Sequence, residues 1–235
     1  MDKLRLAIIG YGQRGTSQTR MIKHFPDVVI TAVCDAYEDR CLALAGVVEE
    51  AGMPAPFRSV DYREIINRDD VDIVMIYTSW ESHIEIAIEA MKAKKIVGLE
   101  VGGAYTVEEC WKLVDTYEET KSPIMFLENC CYGRNELLVR NMVQDGLFGE
   151  IVHCHGGYCH DLRKEVTEGA EKRHYRLKNY INRNCENYPT HELGPIAKIL
   201  DINRGNAMKR LVSVASKSAG LKQYVNDRRD TIENK

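Results

Sequence analysis

A glycine-rich segment near the start of the chain has the spacing of a phosphate-binding loop. Residues 10–15 read G-Y-G-Q-R-G, directly after a short apolar run and before a predicted helix. In that context the first glycine permits a tight turn, the second lets a pyrophosphate approach the backbone, and the third lets helix and strand pack closely. The segment therefore predicts dinucleotide binding, with a phosphate-free turn as the alternative. The predicted loop contacts are Gly10, Gly12, Gln13 and Gly15.

An acidic residue further along discriminates between the two nicotinamide cofactors. Asp35 stands twenty residues after Gly15, at the end of the second predicted strand. A carboxylate there accepts hydrogen bonds from the ribose diol and repels a 2′-phosphate, which favours NAD over NADP. Arg40 follows on the next predicted helix and could meet a 2′-phosphate, so NADP stays open as an alternative.

His191 is a candidate proton-transfer residue, and the nearby Tyr188 is a candidate partner for a substrate hydroxyl. They stand three positions apart, so a turn or a helix start would bring both side chains to one substrate. Histidine suits proton transfer near neutral pH because its ordinary pKa is about 6.5. In the alternative interpretation, Tyr188-Pro189 only sets an extended turn, which His191 caps.

The eight cysteines are expected to be reduced thiols. The N-terminal segment enters a strand pattern without the apolar region and cleavage site of a signal peptide, so we expect a cytoplasmic protein. A histidine- and cysteine-rich segment covers residues 153–160, but it has neither a C-x-x-C pair nor an H-E-x-x-H helix. We therefore predict a structural or substrate-lining role there and no metal site.

The elements that must position these residues alternate between strand and helix through the first half. Strands are predicted at 4–9, 28–34, near Phe57, and at 72–77, 95–99 and 123–127; helices are predicted at 13–24, 38–51, from Asp61, and at 81–93 and 107–119. Near-continuous apolar strands separated by helices indicate a parallel sheet covered on both faces. We therefore predict an α/β protein with a doubly wound Rossmann domain over residues 1–128.

The pattern changes after Cys130. Helices are predicted at 135–143 and 193–200, strands at 150–158 and 211–215, and an irregular polar stretch at 161–187. This mixture predicts a second domain of α+β type over residues 129–235.

Composition excludes several classes of partner. The formal net charge is -3 and the pI is about 6.2, which gives no sign of a nucleic-acid or membrane surface. No apolar run reaches the roughly 18 residues that a membrane span needs.

Four motifs of the first half resemble the Gfo/Idh/MocA oxidoreductase family. They are the glycine loop, Cys34-Asp35, Thr78 to His83 (TSWESH), and Leu99-Glu100-Val101. The resemblance implies a Rossmann domain followed by an open-sheet domain that forms the substrate site and often an oligomer interface. Common dehydrogenases of the family carry Glu-Lys-Pro where this chain has Glu100-Val101-Gly102. Since that lysine helps proton transfer, its absence argues against simple sugar-alcohol oxidation.

Motifs of the second half are similar to the NAD-dependent α-N-acetylgalactosaminidase branch of that family. They are Leu127-Glu128-Asn129, residues 156–163 (GGYCHDLR), residues 188–191 (YPTH) and residues 201–205 (DINRG). The resemblance implies further cofactor contacts at Arg14, Thr78, Trp80, His83, Glu100, Val101 and Asn129. It implies sugar contacts at Tyr158, Arg176, Tyr188, Pro189, Thr190 and His191, of which Tyr158, Tyr188 and His191 would take part in catalysis. Residues 184–187 and Glu192 depart from the branch beside the expected sugar pocket, so the sugar stays open.

The resemblance implies a redox-neutral glycosidase that acts on a sugar. NAD would oxidise C3 of the sugar transiently, so that the substituent at C1 leaves by elimination rather than by the usual two-carboxylate route. The alternatives are an ordinary NAD(P)-dependent sugar dehydrogenase and a nucleotide-binding module without catalysis. The second domain is shorter than in familiar family members, so either the chain is truncated or a partner covers the exposed sheet edge, for which we expect a homo-oligomer.

Overall fold

The computed structural model describes residues 3–167 and 173–228, and the chain divides into two compact units. The first unit is Met1–Leu127 and the second is Glu128–Lys235. No helix in the described ranges has both the length and the apolar character that a bilayer span requires.

The first unit is built on a six-stranded parallel sheet with strand order β3-β2-β1-β4-β5-β6. The strands are β1 (Leu4–Ile9), β2 (Val28–Cys34), β3 (Phe57–Ser59), β4 (Ile73–Ile76), β5 (Ile96–Leu99) and β6 (Ile124–Phe126). The order reverses between β1 and β4, which opens a crevice at the carboxyl ends of the strands where such sheets bind ligands.

Helices cover both faces of this sheet. They are α1 (Gln13–Ile22), α2 (Glu38–Glu50), α3 (Tyr62–Ile66), α4 (Trp80–Lys92) and α5 (Val107–Thr120). Alternate residues of β1 enter different cores, because successive side chains of a strand point to opposite faces. Ala7 and Ile9 pack in one core, and Leu6 and Ile8 pack in the other. Two buried faces explain why the strands are apolar almost throughout.

The prediction of an α/β fold with a Rossmann sheet is confirmed. Each predicted strand of the first unit is present, and β2 has the predicted bounds. Helix α5 begins at a reciprocal capping box: the backbone N–H of Glu109 donates to the Thr106 hydroxyl, and the Glu109 carboxylate accepts from the Thr106 backbone. Such a box satisfies two N–H groups at a helix start and fixes the boundary.

The second unit, as far as the structure describes it, is helical. A 3₁₀ helix (Asn129–Tyr132) precedes α6 (Arg134–Gln144), α7 (Arg163–Thr167), α8 (Arg176–Asn182), α9 (Thr190–Ile199) and α10 (Gly220–Asn226). The irregular stretch predicted at 161–187 instead contains α7 and α8, with residues 168–172 outside the described ranges.

The strands predicted at 150–158 and 211–215 are wrong. Both segments lack strand hydrogen bonding, and within the described residues of the second unit the one β-bridge joins Ile202 to Asn206. Alternating apolar residues give a segment the preference for a strand, but a strand forms only beside a second strand that pairs its N–H and C=O groups. No described segment of this unit supplies that partner to either stretch.

Candidate functional site

The glycine loop packs so tightly that side chains are excluded at two of its glycines. Gly10 has φ +99°, and a Cβ there would lie 2.6 Å from the Tyr77 carbonyl carbon. A Cβ on Gly15 would lie 2.0 Å from the Gly10 oxygen, so β1 and α1 meet at van der Waals distance. A Cβ on Gly12 would meet no atom within 4 Å, so this glycine borders open space. Gly10 and Gly15 thus allow the tight turn and the close packing, and Gly12 leaves room above the loop, as pyrophosphate binding requires.

The first turn of α1 offers unpaired backbone donors to an anion. The helix begins after Gly12 with no side-chain cap and no acidic residue in its first turn. The N–H groups of Gln13, Arg14 and Gly15 therefore have no intrahelical acceptor, and the helix dipole adds positive potential there. Together with the open space above Gly12, this arrangement fits a dinucleotide phosphate.

Asp35 is held in place on both carboxylate oxygens. Oδ2 accepts from the Tyr11 N–H at 2.7 Å, and Oδ1 accepts from the Tyr37 N–H at 3.0 Å. Beneath it, the buried Cys41 thiol contacts both the N–H and the carbonyl of Asp35 and the Ser59 carbonyl. The carboxylate is thus fixed after β2, next to the glycine loop, where a ribose diol would be recognised.

The segments after β4 and β5 bring the other predicted cofactor residues of the first unit to the same edge of the sheet. Glu100 follows β5, and its Oε1 lies 3.5 Å from Nε of Arg14 in the glycine loop. Trp80 begins α4 and is buried against the turn after β5, where a Cβ on Gly102 would lie 2.1 Å from the indole Nε1. Gly102 is required there because of that contact and its φ of +89°. Val101 is buried in the same turn.

His83 is a buried neutral histidine one turn into α4. It is 1% exposed, and its Nε2 lies 3.0 Å from the Thr78 carbonyl oxygen. Burial lowers its pKa to about 4, although the backbone groups of Thr78 and Glu100 act in the opposite direction. An uncharged imidazole here holds the loop after β4 against α4.

In the second unit, His191 and three further aromatic rings form one cluster. The Tyr158 and His191 ring centroids lie 4.3 Å apart, those of Tyr188 and His191 lie 5.2 Å apart, and both contacts are edge-on. His160 approaches from the far side, with its ring 4.8 Å from Tyr158. Tyr188 and His191 are each 7% exposed, whereas Tyr158 is 39% exposed. The cluster, which we call the ring cluster (Tyr158, His160, Tyr188, His191), thus has one open side.

The Tyr188 hydroxyl is the polar centre of the ring cluster. It lies 2.5 Å from His160 Nε2 and accepts from Nη1 of Arg176 at 3.4 Å. The guanidinium also lies over the Tyr188 ring, 5.2 Å from its centroid. Burial raises the pKa of Tyr188, and the Arg176 cation lowers it by a smaller amount. Tyr188 therefore stays a neutral phenol that can donate a hydrogen bond.

His191 also bonds a carboxylate that sequence reasoning did not select. Its Nδ1 lies 2.6 Å from Oε1 of Glu128, and the two side chains are 5% and 6% exposed. Glu128 is 63 residues away in the chain, and its Oε1 also accepts from the N–H of Cys130 at 2.9 Å. Helix α9 meets the 3₁₀ helix closely at Gly194, where a Cβ would lie 2.8 Å from the Cys131 sulfur.

The structure thus brings Tyr158, Arg176, Tyr188 and His191 together. Pro189 and Thr190 stand between Tyr188 and His191 at the start of α9, and Asn129 is exposed at the start of the 3₁₀ helix. Two neighbours of these residues, Glu128 and His160, were not selected from the sequence. Both stand inside quoted motifs (Leu127-Glu128-Asn129 and GGYCHDLR), but no local spacing connects either one to His191.

Two family models match the chain, one in each of the two compact units. The model of the oxidoreductase family with an NAD-binding Rossmann fold, Gfo/Idh/MocA, matches residues 4–127. The chain belongs to the Gfo/Idh/MocA oxidoreductase family. The model of the glycosyl hydrolase 109 C-terminal domain matches residues 132–235, a range that contains the ring cluster of this Gfo/Idh/MocA member.

Its relatives include proteins named as glycosidases. The chain is 42% identical over 231 residues to an alpha-N-acetylgalactosaminidase of Bacteroides fragilis, covering 95% of this chain and 54% of the relative. It is 42% identical over 227 residues to a glycosyl hydrolase family 109 protein of Solibacter usitatus, covering 94% and 52%. This Gfo/Idh/MocA chain therefore spans about half the length of the curated relatives that it matches.

Solved structures agree on the fold. A myo-inositol 2-dehydrogenase of Lactobacillus plantarum superposes with a TM-score of 0.68 at 20% identity, covering 84% of this chain and 56% of that one. At that identity the likeness shows a shared fold and nothing about the substrate.

Proposed function

We propose that this chain carries the cofactor and proton-transfer residues of an NAD-dependent glycosidase that works by transient oxidation of its sugar. One observation carries the proposal: the segment that matches the glycosyl hydrolase 109 model holds a buried histidine among tyrosine hydroxyls, in a chain with a dinucleotide loop. The names of the relatives suggest an N-acetyl-α-galactosaminide as the substrate. NAD is favoured over NADP because Asp35 stands where a 2′-phosphate would lie.

The dinucleotide would be held by the first unit. Gly10, Gly12 and Gly15 leave space for the pyrophosphate, the first N–H groups of α1 bind it, and Asp35 accepts from the ribose. The proposed cofactor set of the first unit is completed by Gln13, Arg14, Thr78, Trp80, His83, Glu100 and Val101. The resemblance adds Asn129 to it. When bound, NAD⁺ accepts a hydride from C3 of the sugar and later returns it.

The residues of the second unit would bind the sugar and move its protons. Tyr158, Arg176 and Tyr188 present donors to sugar hydroxyls, and Pro189 and Thr190 shape the same turn. As the C3 hydride leaves, His191 takes the C3 hydroxyl proton, and the product is a ketone. The ketone acidifies the C2 proton, whose removal expels the substituent at C1; water then adds at C1 and a proton returns to C2.

The proposal is tested with the chain incubated with NAD⁺ and a 4-nitrophenyl N-acetyl-α-galactosaminide in deuterated water. We expect release of 4-nitrophenol without net accumulation of NADH, and deuterium at C2 of the released sugar. A two-carboxylate glycosidase leaves C2 unlabelled, because its mechanism never breaks that C–H bond. His191→Gln should abolish the release while leaving the dissociation constant of NAD unchanged.

The other outcomes point to the alternatives. Stoichiometric accumulation of NADH without release of 4-nitrophenol indicates a sugar dehydrogenase. Binding of NAD without turnover of any member of a panel of α- and β-glycosides indicates a nucleotide-binding module. Titration of NAD and NADP in parallel tests the cofactor preference, and an equal affinity for both contradicts the role given to Asp35.

We further propose that the chain forms a homo-oligomer. Several apolar side chains of the extended segments in the second unit are almost fully exposed, among them Val152, Leu211 and Val214. Leu211, Val212 and Val214 also lie close together in the chain, and exposed apolar patches mark interaction sites.

A further inference from the structure

We propose that Glu128 is a positioning residue that makes His191 a proton acceptor at Nε2. The inference rests on the proposed function and adds to it a residue that neither the resemblance nor the comparisons assign. It starts from the buried bond of 2.6 Å between Glu128 Oε1 and His191 Nδ1.

The first step concerns the charge of Glu128. Burial by itself raises the pKa of this carboxyl group, but the nearby Thr190 side chain and the hydrogen bonds to His191 and the Cys130 N–H lower it further than burial raises it. The carboxyl group is therefore ionised at neutral pH. An ionised carboxylate has only acceptor sites, so the hydrogen atom of the bond to His191 belongs to Nδ1.

The second step concerns the tautomer of His191. A neutral imidazole carries one proton, and a proton held on Nδ1 leaves the lone pair on Nε2. Within the described residues, Nε2 of His191 makes no hydrogen bond. The geometry therefore presents a base at Nε2, as removal of a hydroxyl proton requires.

The third step concerns the orientation of the ring. The Glu128 bond holds one edge, and the Tyr158 and Tyr188 rings meet His191 edge-on at 4.3 and 5.2 Å. Gly194 lies one turn further along α9, where a Cβ would lie 3.1 Å from Cγ of Glu128. Only a residue without a side chain lets α9 come close enough for a bond of 2.6 Å.

A metal ion is the competing explanation for this group. Glu128, Cys130 and His191 present donor atoms that all lie within 4.8 Å of one another. Two oxygen or nitrogen ligands of a tetrahedral zinc ion, each about 2.0–2.1 Å from the metal, lie about 3.3 Å apart. The 2.6 Å between Glu128 and His191 is too short for that arrangement and has the length of a charge-assisted hydrogen bond.

The test compares Glu128→Gln, Glu128→Asp and wild type by ¹⁵N NMR of the histidine rings, with His191→Gln identifying the signal of residue 191. In wild type we expect the Nδ1–H tautomer. In Glu128→Gln the side-chain amide donates to Nδ1 and shifts the ring to the Nε2–H tautomer. Glu128→Asp retains the charge and should retain the Nδ1–H tautomer. The matched control is Glu150→Gln, which changes an exposed carboxylate in the same unit.

Kinetics on the same variants distinguish positioning from folding. We expect kcat of Glu128→Gln to fall about 10²- to 10⁴-fold, the range of a lost general base, with KM changed by less than about threefold. Glu128→Asp should recover part of kcat, and Glu150→Gln should match wild type. Circular dichroism shows whether each variant is folded. If Glu128→Gln is unfolded, the Glu128→Asp data test the positioning role.

Three results would overturn the inference. They are a wild-type ring in the Nε2–H form, a tautomer that does not respond to Glu128→Gln, and stoichiometric zinc whose removal by a chelator changes the His191 signal. The tautomer is measured without turnover, so the pairing can stand even where no glycoside is cleaved. In that case the proposed function fails and the positioning of His191 does not.

Discussion

His83 is buried as an uncharged ring. Lowering the pH should therefore destabilise the folded chain, because protonation of this histidine is favoured in the unfolded state. Its pKa is about 4 in the folded chain and about 6.5 in an unfolded one. Between these values the unfolded chain binds a proton that the folded chain does not, so stability is complete above pH 6.5 and declines as the pH falls toward 4.

We expect this single group to remove about 2 kcal/mol from the free energy of unfolding between pH 7.5 and pH 5. The measurement is urea unfolding at both pH values for wild type and His83→Gln. The variant should be less stable at pH 7.5 but should show a smaller loss on acidification. His24→Gln changes an exposed histidine just after the end of α1, and it is the control. Equal losses in wild type and His83→Gln would contradict the role of burial.

At the scale of elements, two helical glycines should respond oppositely to the same substitution. A Cβ on Gly194 in α9 meets Cys131 and Glu128 at 2.8 and 3.1 Å, whereas a Cβ on Gly46 in α2 meets no atom within 4 Å. Gly194→Ala should cost about 1–3 kcal/mol by overpacking, and Gly46→Ala should add about 0.5–1 kcal/mol by helix propensity.

The measurement is thermal and urea unfolding of both variants, together with the His191 NMR signal. Because Gly194→Ala forces α9 away from the 3₁₀ helix, we expect it to weaken the Glu128 bond and move that signal. Gly46→Ala should leave the signal in place. A stabilised Gly194→Ala variant would mean that the two helices are not in the close contact described.

The elements of the first unit could be predicted from the sequence, whereas some of those in the second unit could not. The alternation in the first unit was predictable because each buried strand carries its own apolar run and each helix its own period. In the second unit, the 150–158 and 211–215 segments have a strand pattern but no partner, and periodicity cannot reveal a missing partner. The Tyr188 and His191 pair was predictable from a local spacing. Glu128 was not, because it reaches His191 only through the packing of α9 against the 3₁₀ helix.

At the scale of the whole molecule, exposed apolar side chains should govern association. Val152, Leu211 and Val214 are 90%, 86% and 89% exposed. We expect the molar mass from light scattering to rise with concentration in wild type and to fall toward that of a monomer in Val152→Lys/Val214→Lys. Met21→Lys alters an exposed apolar residue on α1 of the first unit and should have no effect. A wild-type chain that is a monomer at every concentration would contradict the proposed oligomer.

The cysteines beneath Asp35 also make the chain its own reporter of opening motions. Burial raises the pKa of Cys34 to about 12 and also raises that of Cys41, so neither forms the thiolate that alkylating reagents attack. Cys110, Cys159 and Cys185 are exposed and should be modified at once. The slow alkylation rate of Cys34 and Cys41 would then report how often the end of β2 unfolds locally. A dinucleotide bound to Asp35 should lower that rate.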